Sequence, residues 1–223
     1  LQGEIDVSAL PRIDWCFDFI SPFAYLACER LGELDGLAEV HPVPVLFAGL
    51  LDHYGQRGPA EIGPKRTFTY RFALWRASRL GIPMRLPPAH PFNPLKLLRL
   101  AVAIGAGRDA VREIFRFVWR DGCSPDDPEA LAALAGRLGI ADVEMRTSPA
   151  AVKAALRQNG ERAIQAGVFG VPTCVLYGSE VYWGEDAMDM VVDRLRGAPV
   201  FDNAEMQRAE TIEAAAMRVP LAR

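Results

Sequence analysis

The sequence predicts an α/β fold, a βαβ…ββα core interrupted by an all-helical insertion. Three observations carry that class. An alternating strand runs straight into a capped helix near the start of the chain, about 100 residues of helical pattern fill the middle, and β pattern returns at 167–184. The composition agrees with a chain able to bury a sizeable core: 223 residues, 50% of them hydrophobic, with 25 Lys plus Arg against 28 Asp plus Glu. It argues against a disordered segment, a fibrous repeat or a small disulfide-stapled module, and the near balance of charge gives no reason to expect a polyanionic partner such as nucleic acid. No apolar run approaches the roughly 20 residues needed to cross a bilayer.

Residues 13–19, IDWCFDF, alternate apolar and polar side chains with the period of a strand. Ser21 then stands as an N-cap with Pro22 at the first helical position, and Phe23, Ala27, Leu31 and Leu34 recur at helical spacing. The stretch 40–49, VHPVPVLFAG, reads as a second strand, and Pro42 and Pro44 imply an edge position or an irregular start. Helices are expected at 64–80, 93–106, 108–120, 127–137 and 149–166, with no strand among them. The segment KRTFTYRFALWR (65–76) is amphipathic on a helix, so Phe68, Phe72 and Trp75 are expected in the core rather than against nucleic acid. Strands at 173–177 and 181–183 flank Gly178-Ser179-Glu180, a hairpin signal. Helices at 185–196 and 204–217 close the chain. The expected division is a core of 13–55 and 167–223 around a helical insertion of 56–166.

Chemistry-bearing positions are few. Ser21 caps its own helix, and that alone explains a Ser there; its hydroxyl and the free N–H groups of the first turn can also face an anion. Val171-Pro172 precedes a strand where a tight turn fits; about 5–6% of such bonds are cis, and a cis bond would turn the Val171 backbone outward. Glu185 and Asp186 suit a helix start, and a carboxylate with free N–H groups can equally grip an amino-acid-like ligand. Lys65 and Arg66 open the first insertion helix, where cations sit unfavourably against the dipole unless an anion is near. His90 and Asn93 lie in the proline-rich loop PPAHPFNP (87–94), with cap and turn roles open to both. Cys16, Cys28, Cys123 and Cys174, with His41, His53 and His90, show no metal-ligand spacing, so no metal is expected. The thiols read as small buried hydrophobes in a reducing compartment. No phosphate loop, nucleophile elbow, zinc-protease motif or dinucleotide fingerprint is present.

In order along the chain, FDFISPFAYLA (17–27), GPAEIGPKR…TYR…GIP (58–83), HPFNP (90–94), VFGVPT (168–173) and YWGEDAM (182–188) resemble the 2-hydroxychromene-2-carboxylate isomerase family. That family is thioredoxin-like and stands beside the kappa-class glutathione transferases and the DsbA-like oxidoreductases. The resemblance covers about 13–197. It implies glutathione as cofactor, with Ser21 as the catalytic residue hydrogen-bonding the glutathione sulfur where the disulfide relatives carry their attacking Cys. It places Val171 and Pro172 at the cis-proline turn that holds the glutathione backbone. Glu185 and Asp186 fall at the γ-glutamyl end, Lys65 near the glutathione or substrate carboxylate, and Asn93 beside the substrate. Ser21-Pro22-Phe23-Ala24 replaces the redox CxxC, which removes both the nucleophile and the resolving thiol of disulfide exchange. The implied reaction is isomerisation of an aromatic unsaturated 2-oxoacid, in a cytoplasmic homodimer. A kappa-like transferase or peroxidase and a non-catalytic thiol-binding protein are the alternatives. LQGEIDVSAL lacks the basic patch and apolar run of a signal peptide, in line with the cytoplasmic expectation.

Overall fold

Alternation along β1 (Arg12–Phe17) sorts its side chains between two hydrophobic layers in the computed structural model, which describes residues 10–216. Ile13, Trp15 and Phe17 are wholly buried on one face, and Cys16 lies on the other. The strand is central. Parallel β2 (Glu39–Pro44) flanks it on one side and antiparallel β3 (Thr173–Leu176) on the other, with β4 (Glu180–Trp183) beyond, in the order β2-β1-β3-β4. Trp15 stands opposite Pro42 and Cys174. Pro42 and Pro44 are thus on an edge strand, where a missing N–H costs least. The β3–β4 connection turns at Tyr177 and Gly178, both at positive φ, with Ser179 N donating to Leu176 O. That is the backbone twist a tight hairpin requires.

On the first face, α1 (Pro22–Arg30) and α5 (Arg108–Trp119) pack over the aromatic cluster Trp15, Phe17, Phe19 and Phe115, whose ring centroids lie 4.7–6.0 Å apart. The same cluster extends into α4 (Leu95–Ala103) and α6 (Pro128–Arg137), so the helical insertion and the sheet share one core. On the second face, Leu50 of α2 (Phe47–His53) and Ala163 of α8 (Ala150–Gln165) cover Cys16 and Val175. Cys16, Cys28 and Cys174 are buried and Cys123 is half-buried; all four are free thiols.

Several expectations shift. β1 ends at Phe17 rather than 19, because Ser21 N donates to Asp18 O at 3.1 Å and closes a turn. The expected strand 40–49 stops at Pro44 and gives way to α2, whose first N–H, on Phe47, is met at 2.8 Å by Asp18 Oδ2 from 29 residues earlier. A short α7 (Val143–Thr147), capped by Asp142, was not anticipated. α9 (Met188–Leu195) begins three residues later than the expected 185, since Gly184 (φ 107) and the burial of Glu185 keep that stretch a turn. The helix expected at 204–217 is α10 (Ala204–Arg208) followed by a short 3-10 turn; residue 217 lies outside the described residues, as do 1–9.

α3 (Gly63–Leu80) brings the largest correction. Phe68, Phe72 and Trp75 are exposed, at 65%, 39% and 56%, and stack on one another instead of entering the core. The buried face of α3 is made of Ala73 and Ala77, flanked by Tyr70 and Arg76, which reach out to polar partners. Small side chains let the helix approach α1 closely, and its polar anchors fix its rotation.

Candidate functional site

The site forms where β1 hands over to α1. Ser21, at φ −90° and ψ 116°, is the N-cap; its Oγ accepts from Ala24 N at 3.2 Å and donates to Val171 O at 3.4 Å. The Val171-Pro172 bond is cis, and Gly184 N donates to Pro172 O at 2.9 Å, which ties the turn to the end of β4. Ser21 and the proline turn, 150 residues apart in sequence, therefore meet through one hydroxyl. Of the first-turn donors, Pro22 has no N–H and that of Ala24 is taken by Ser21 Oγ. Among the described residues, neither the Phe23 N–H nor the Val171 N–H finds a backbone acceptor. The floor of the site carries one hydroxyl proton and two backbone donors.

Aromatic rings border these donors. Phe23 packs against Phe72 of α3 at 5.8 Å, and Phe169 packs against Trp183 at 5.2 Å. The Trp183 ring lies so close over Gly170 that a Cβ there would come within 2.5 Å of its Nε1. Gly170 is required for that approach.

Beneath the site the backbone of 19–21 is pinned from several directions. Trp119 Nε1 donates to Phe19 O at 2.8 Å, His90 Nε2 to Ile20 O at 2.8 Å, and Ile20 N to Asp18 Oδ1 at 3.1 Å. Asp18 is wholly buried, and burial pushes its carboxyl up to about 7 in spite of the N–H bonds that favour the anion. His90 is pushed down by burial, with the Arg66 charge adding to the effect, so the ring is neutral. The His90-Pro91 bond is also cis.

The other expected site residues divide. Glu185 is 3% exposed and its carboxylate is held by two arginines: Arg30 Nη1 on Oε1, and Arg76 Nε on Oε2 at 2.7 Å with Nη2 on Oε1 at 3.1 Å. Arg30 also binds Glu33 and Asp189. Glu185 thus fastens α1, α3 and the turn before α9 together. Its neighbour Asp186 is exposed and folds back over Gly184, where a Cβ would meet its Oδ1 at 2.3 Å. Lys65 is exposed in the first turn of α3. Asn93 is exposed and accepts from Leu95 N at 3.0 Å, the cap-like contact that the following Pro94 suggested. The structure brings Ser21, Val171 and Pro172 into contact; Glu185 stands apart in its arginine clamp.

Sequence reasoning missed Asp18, Trp119, Tyr70 and Arg30. Asp18 falls on the polar phase of an apparent strand and so looks like a surface residue. The local signal was an Asp two residues before the N–H it accepts, as in an Asx turn. Arg30 stands among apolar residues on α1, but no local pattern names a partner 155 residues away.

Fold and site together define a class: a thioredoxin-like α/β protein in which a serine caps the helix facing the cis-proline turn and no thiol occupies residue 21 or 24. The model of the DSBA-like thioredoxin domain matches residues 12–196. The chain is 32% identical over 196 residues to a 2-hydroxychromene-2-carboxylate isomerase of Pseudomonas sp. (strain C18), covering 84% of this chain and 92% of that protein. The solved structure of a 2-hydroxychromene-2-carboxylate isomerase superposes with a TM-score of 0.72 at 27% identity, covering 87% of this chain and 98% of the other. Glutathione S-transferase kappa 2 of Caenorhabditis elegans is 26% identical over 204 residues, 82% of this chain and 91% of that one. The chain belongs to the DSBA-like thioredoxin family and, within it, to the 2-hydroxychromene-2-carboxylate isomerase family. Among the described residues, no helix is long and apolar enough to cross a membrane.

Proposed function

We propose that the protein is a glutathione-dependent isomerase of an aromatic unsaturated 2-oxoacid, of the type that converts 2-hydroxychromene-2-carboxylate to trans-o-hydroxybenzylidenepyruvate. One observation carries the reading: the Ser21 hydroxyl lies between a helix N-terminus and the Val171 carbonyl, with no cysteine at 21 or 24 to do chemistry itself. The donors suit a bound thiol peptide. The Phe23 N–H, with no acceptor among the described residues, and the Ser21 O–H two residues before it would serve a sulfur anion, and the Val171 N–H and C=O would offer an extended backbone its pairing groups. When bound, glutathione supplies a nucleophilic thiol that adds to a conjugated carbon and departs after rotation about the former double bond, with no net redox change.

This chain's own residues do the rest. At 3.4 Å the Ser21–Val171 bond is long, so the hydroxyl proton is readily redirected to an anion. A hydrogen bond to a charged acceptor is worth about 1.5–3 kcal/mol, which lowers the pKa of the acceptor thiol by one to two units. Asp186 takes the γ-glutamyl ammonium. Glu185 supports it by holding the turn that carries it rather than by touching the ligand. Lys65 favours the substrate carboxylate and the developing enolate, and Asn93 borders the substrate. The core of 13–55 and 167–223 serves glutathione, and the helical insertion 56–166 forms the substrate side. A cytoplasmic homodimer goes with this reading on the strength of the family resemblance.

The test is spectroscopic conversion of the chromene carboxylate with and without glutathione, in wild type and Ser21→Ala. Ser21→Ala should lower kcat/KM by about tenfold to a hundredfold, the loss of one charged hydrogen bond. Conversion without glutathione, or undiminished conversion by Ser21→Ala, refutes the mechanism. A stable glutathione conjugate with loss of a leaving group would instead identify a kappa-like transferase, the reading that the similarity to glutathione S-transferase kappa 2 keeps in view.

A further inference from the structure

The geometry points to His90 as a positioning residue for the Ser21 hydroxyl, acting through the Ile20–Ser21 peptide group from a loop of the helical insertion. That peptide is held at both of its polar atoms. Its carbonyl, Ile20 O, accepts from His90 Nε2 at 2.8 Å, and its N–H, on Ser21, donates to Asp18 O at 3.1 Å. A peptide fixed at both atoms fixes the plane and the Cα from which the Ser21 side chain departs, leaving φ and χ1 to be set by the bond from Ala24 N to Oγ. That bond, at 3.2 Å, holds only if the plane is kept.

The histidine is itself oriented. A carbonyl can only accept, so Nε2 carries the hydrogen and Nδ1 of the neutral ring is an acceptor. Tyr70 Oη of α3 lies 2.7 Å from Nδ1 and 3.0 Å from His90 O; with the ring hydrogen on Nε2 as the Ile20 carbonyl requires, the phenol proton goes to Nδ1 and supports that tautomer. Rings of Tyr70, Phe92 and Trp119 surround the imidazole at 5.4, 5.8 and 5.4 Å and leave it little room to flip. Trp119 fixes the preceding carbonyl, Phe19 O, by its own indole N–H at 2.8 Å. A chain of contacts therefore runs from α3 through Tyr70 and His90 to Ile20 and Ser21, and it carries the placement of the insertion helix into the core. Tyr70, His90 and the Ile20 carbonyl are not placed against a ligand; their action is on where Ser21 points.

Two readouts decide the proposal, and the first needs no ligand. Hydrogen exchange at the Ala24 amide reports the Ser21 Oγ bond directly. His90→Leu should reduce Ala24 protection about tenfold, roughly the loss of one hydrogen bond of 1 kcal/mol or slightly more. His90→Gln, whose amide N–H can reach the same carbonyl, should restore it. Tyr70→Phe should fall between. Unchanged Ala24 protection in His90→Leu overturns the proposal. If His90→Leu does not accumulate as folded protein, Tyr70→Phe decides, because it leaves the ring in place and removes only the hydroxyl that holds Nδ1; wild-type protection there also overturns it.

The second readout rests on the glutathione reading: the pKa of the bound thiol, followed by thiolate absorbance in the ultraviolet. His90→Leu should raise that pKa in the wild-type background and add nothing in Ser21→Ala, since both changes act on one hydroxyl. A His90→Leu shift that persists in full without the Ser21 hydroxyl overturns the proposal. Absence of a thiolate band in the wild type would instead sink the glutathione reading, and Ala24 exchange would still decide the role of His90.

Discussion

Replacing Glu185 by Ala removes a buried carboxylate that Arg30 and Arg76 share. Arg30 is 8% exposed and keeps Glu33 at 2.8 Å and Asp189 at 2.5 Å. Arg76 is 25% exposed and loses its carboxylate partner, though it can turn toward water. Breaking a buried ion pair from one side costs about 3–5 kcal/mol. The two contacts that Arg30 retains and the partial exposure of Arg76 place this case at the lower end, about 3 kcal/mol. Glu185→Gln, which keeps one acceptor oxygen, should cost about 2 kcal/mol. The assay is urea unfolding followed by tryptophan fluorescence, with Trp15 and Trp119 buried in the core as reporters. With a slope of about 2–3 kcal/mol per M, the Ala variant should unfold at a midpoint about 1–1.5 M lower, with unchanged slope. Adding Arg76→Met to Glu185→Ala should recover about 1 kcal/mol by removing the stranded charge. A midpoint within about 0.3 M of wild type, or a further loss on adding Arg76→Met, would refute the view that this clamp joins core and insertion.

Other outcomes follow from single contacts. Burial holds the Asp18 carboxyl protonated to about 7, against about 3.9 in an unfolded chain, so between those values the folded state binds the extra proton. Its contribution to stability is therefore full below about pH 4 and is lost as pH rises through 7, up to about 4 kcal/mol in all. Comparing urea midpoints of wild type and Asp18→Asn at pH 5 and pH 8 isolates it; an identical pH slope in the two proteins would show that Asp18 does not titrate in this range. Gly170→Ala must displace the Trp183 ring, and since that ring is 55% exposed the stability loss should stay near 1 kcal/mol while the Trp183 indole N–H resonance moves clearly. An unmoved resonance would mean the ring does not rest on Gly170.

The strand-to-helix junction was legible because its signals are local: alternation up to Phe17, then Ser21 and Pro22 as cap and first residue. The edge placement of β2 was legible for the same reason, two prolines lacking N–H groups. The sequence could not show α2, because its first N–H is met by a side chain from β1's end rather than by its own flank. The aromatic face of α3 misled because periodicity identifies an apolar stripe but not which neighbour covers it; here Ala73 and Ala77 take the interface. Glu185 fitted the acidic preference of a helix start, and only the fold reveals that Arg30 and Arg76 converge on it. Ser21, Val171 and Pro172 were nameable by motif, yet the hydroxyl-to-carbonyl contact that makes them one site exists only in three dimensions.

The burial of three of the four cysteines has a consequence for the proposed chemistry. Cys16 and Cys174 are pushed up to about 12 by desolvation, and Cys28 is raised further in the same direction. Cys16 is therefore held as the neutral thiol, under the sheet's second layer. Under the proposed function, a conjugated acid would meet at the site a thiol that can let go again, while Cys16, Cys28 and Cys174 lie out of its reach. With serine at 21 and the thiols at 16, 28 and 174 buried, the half-buried Cys123 is left as the thiol that an electrophile would alkylate first.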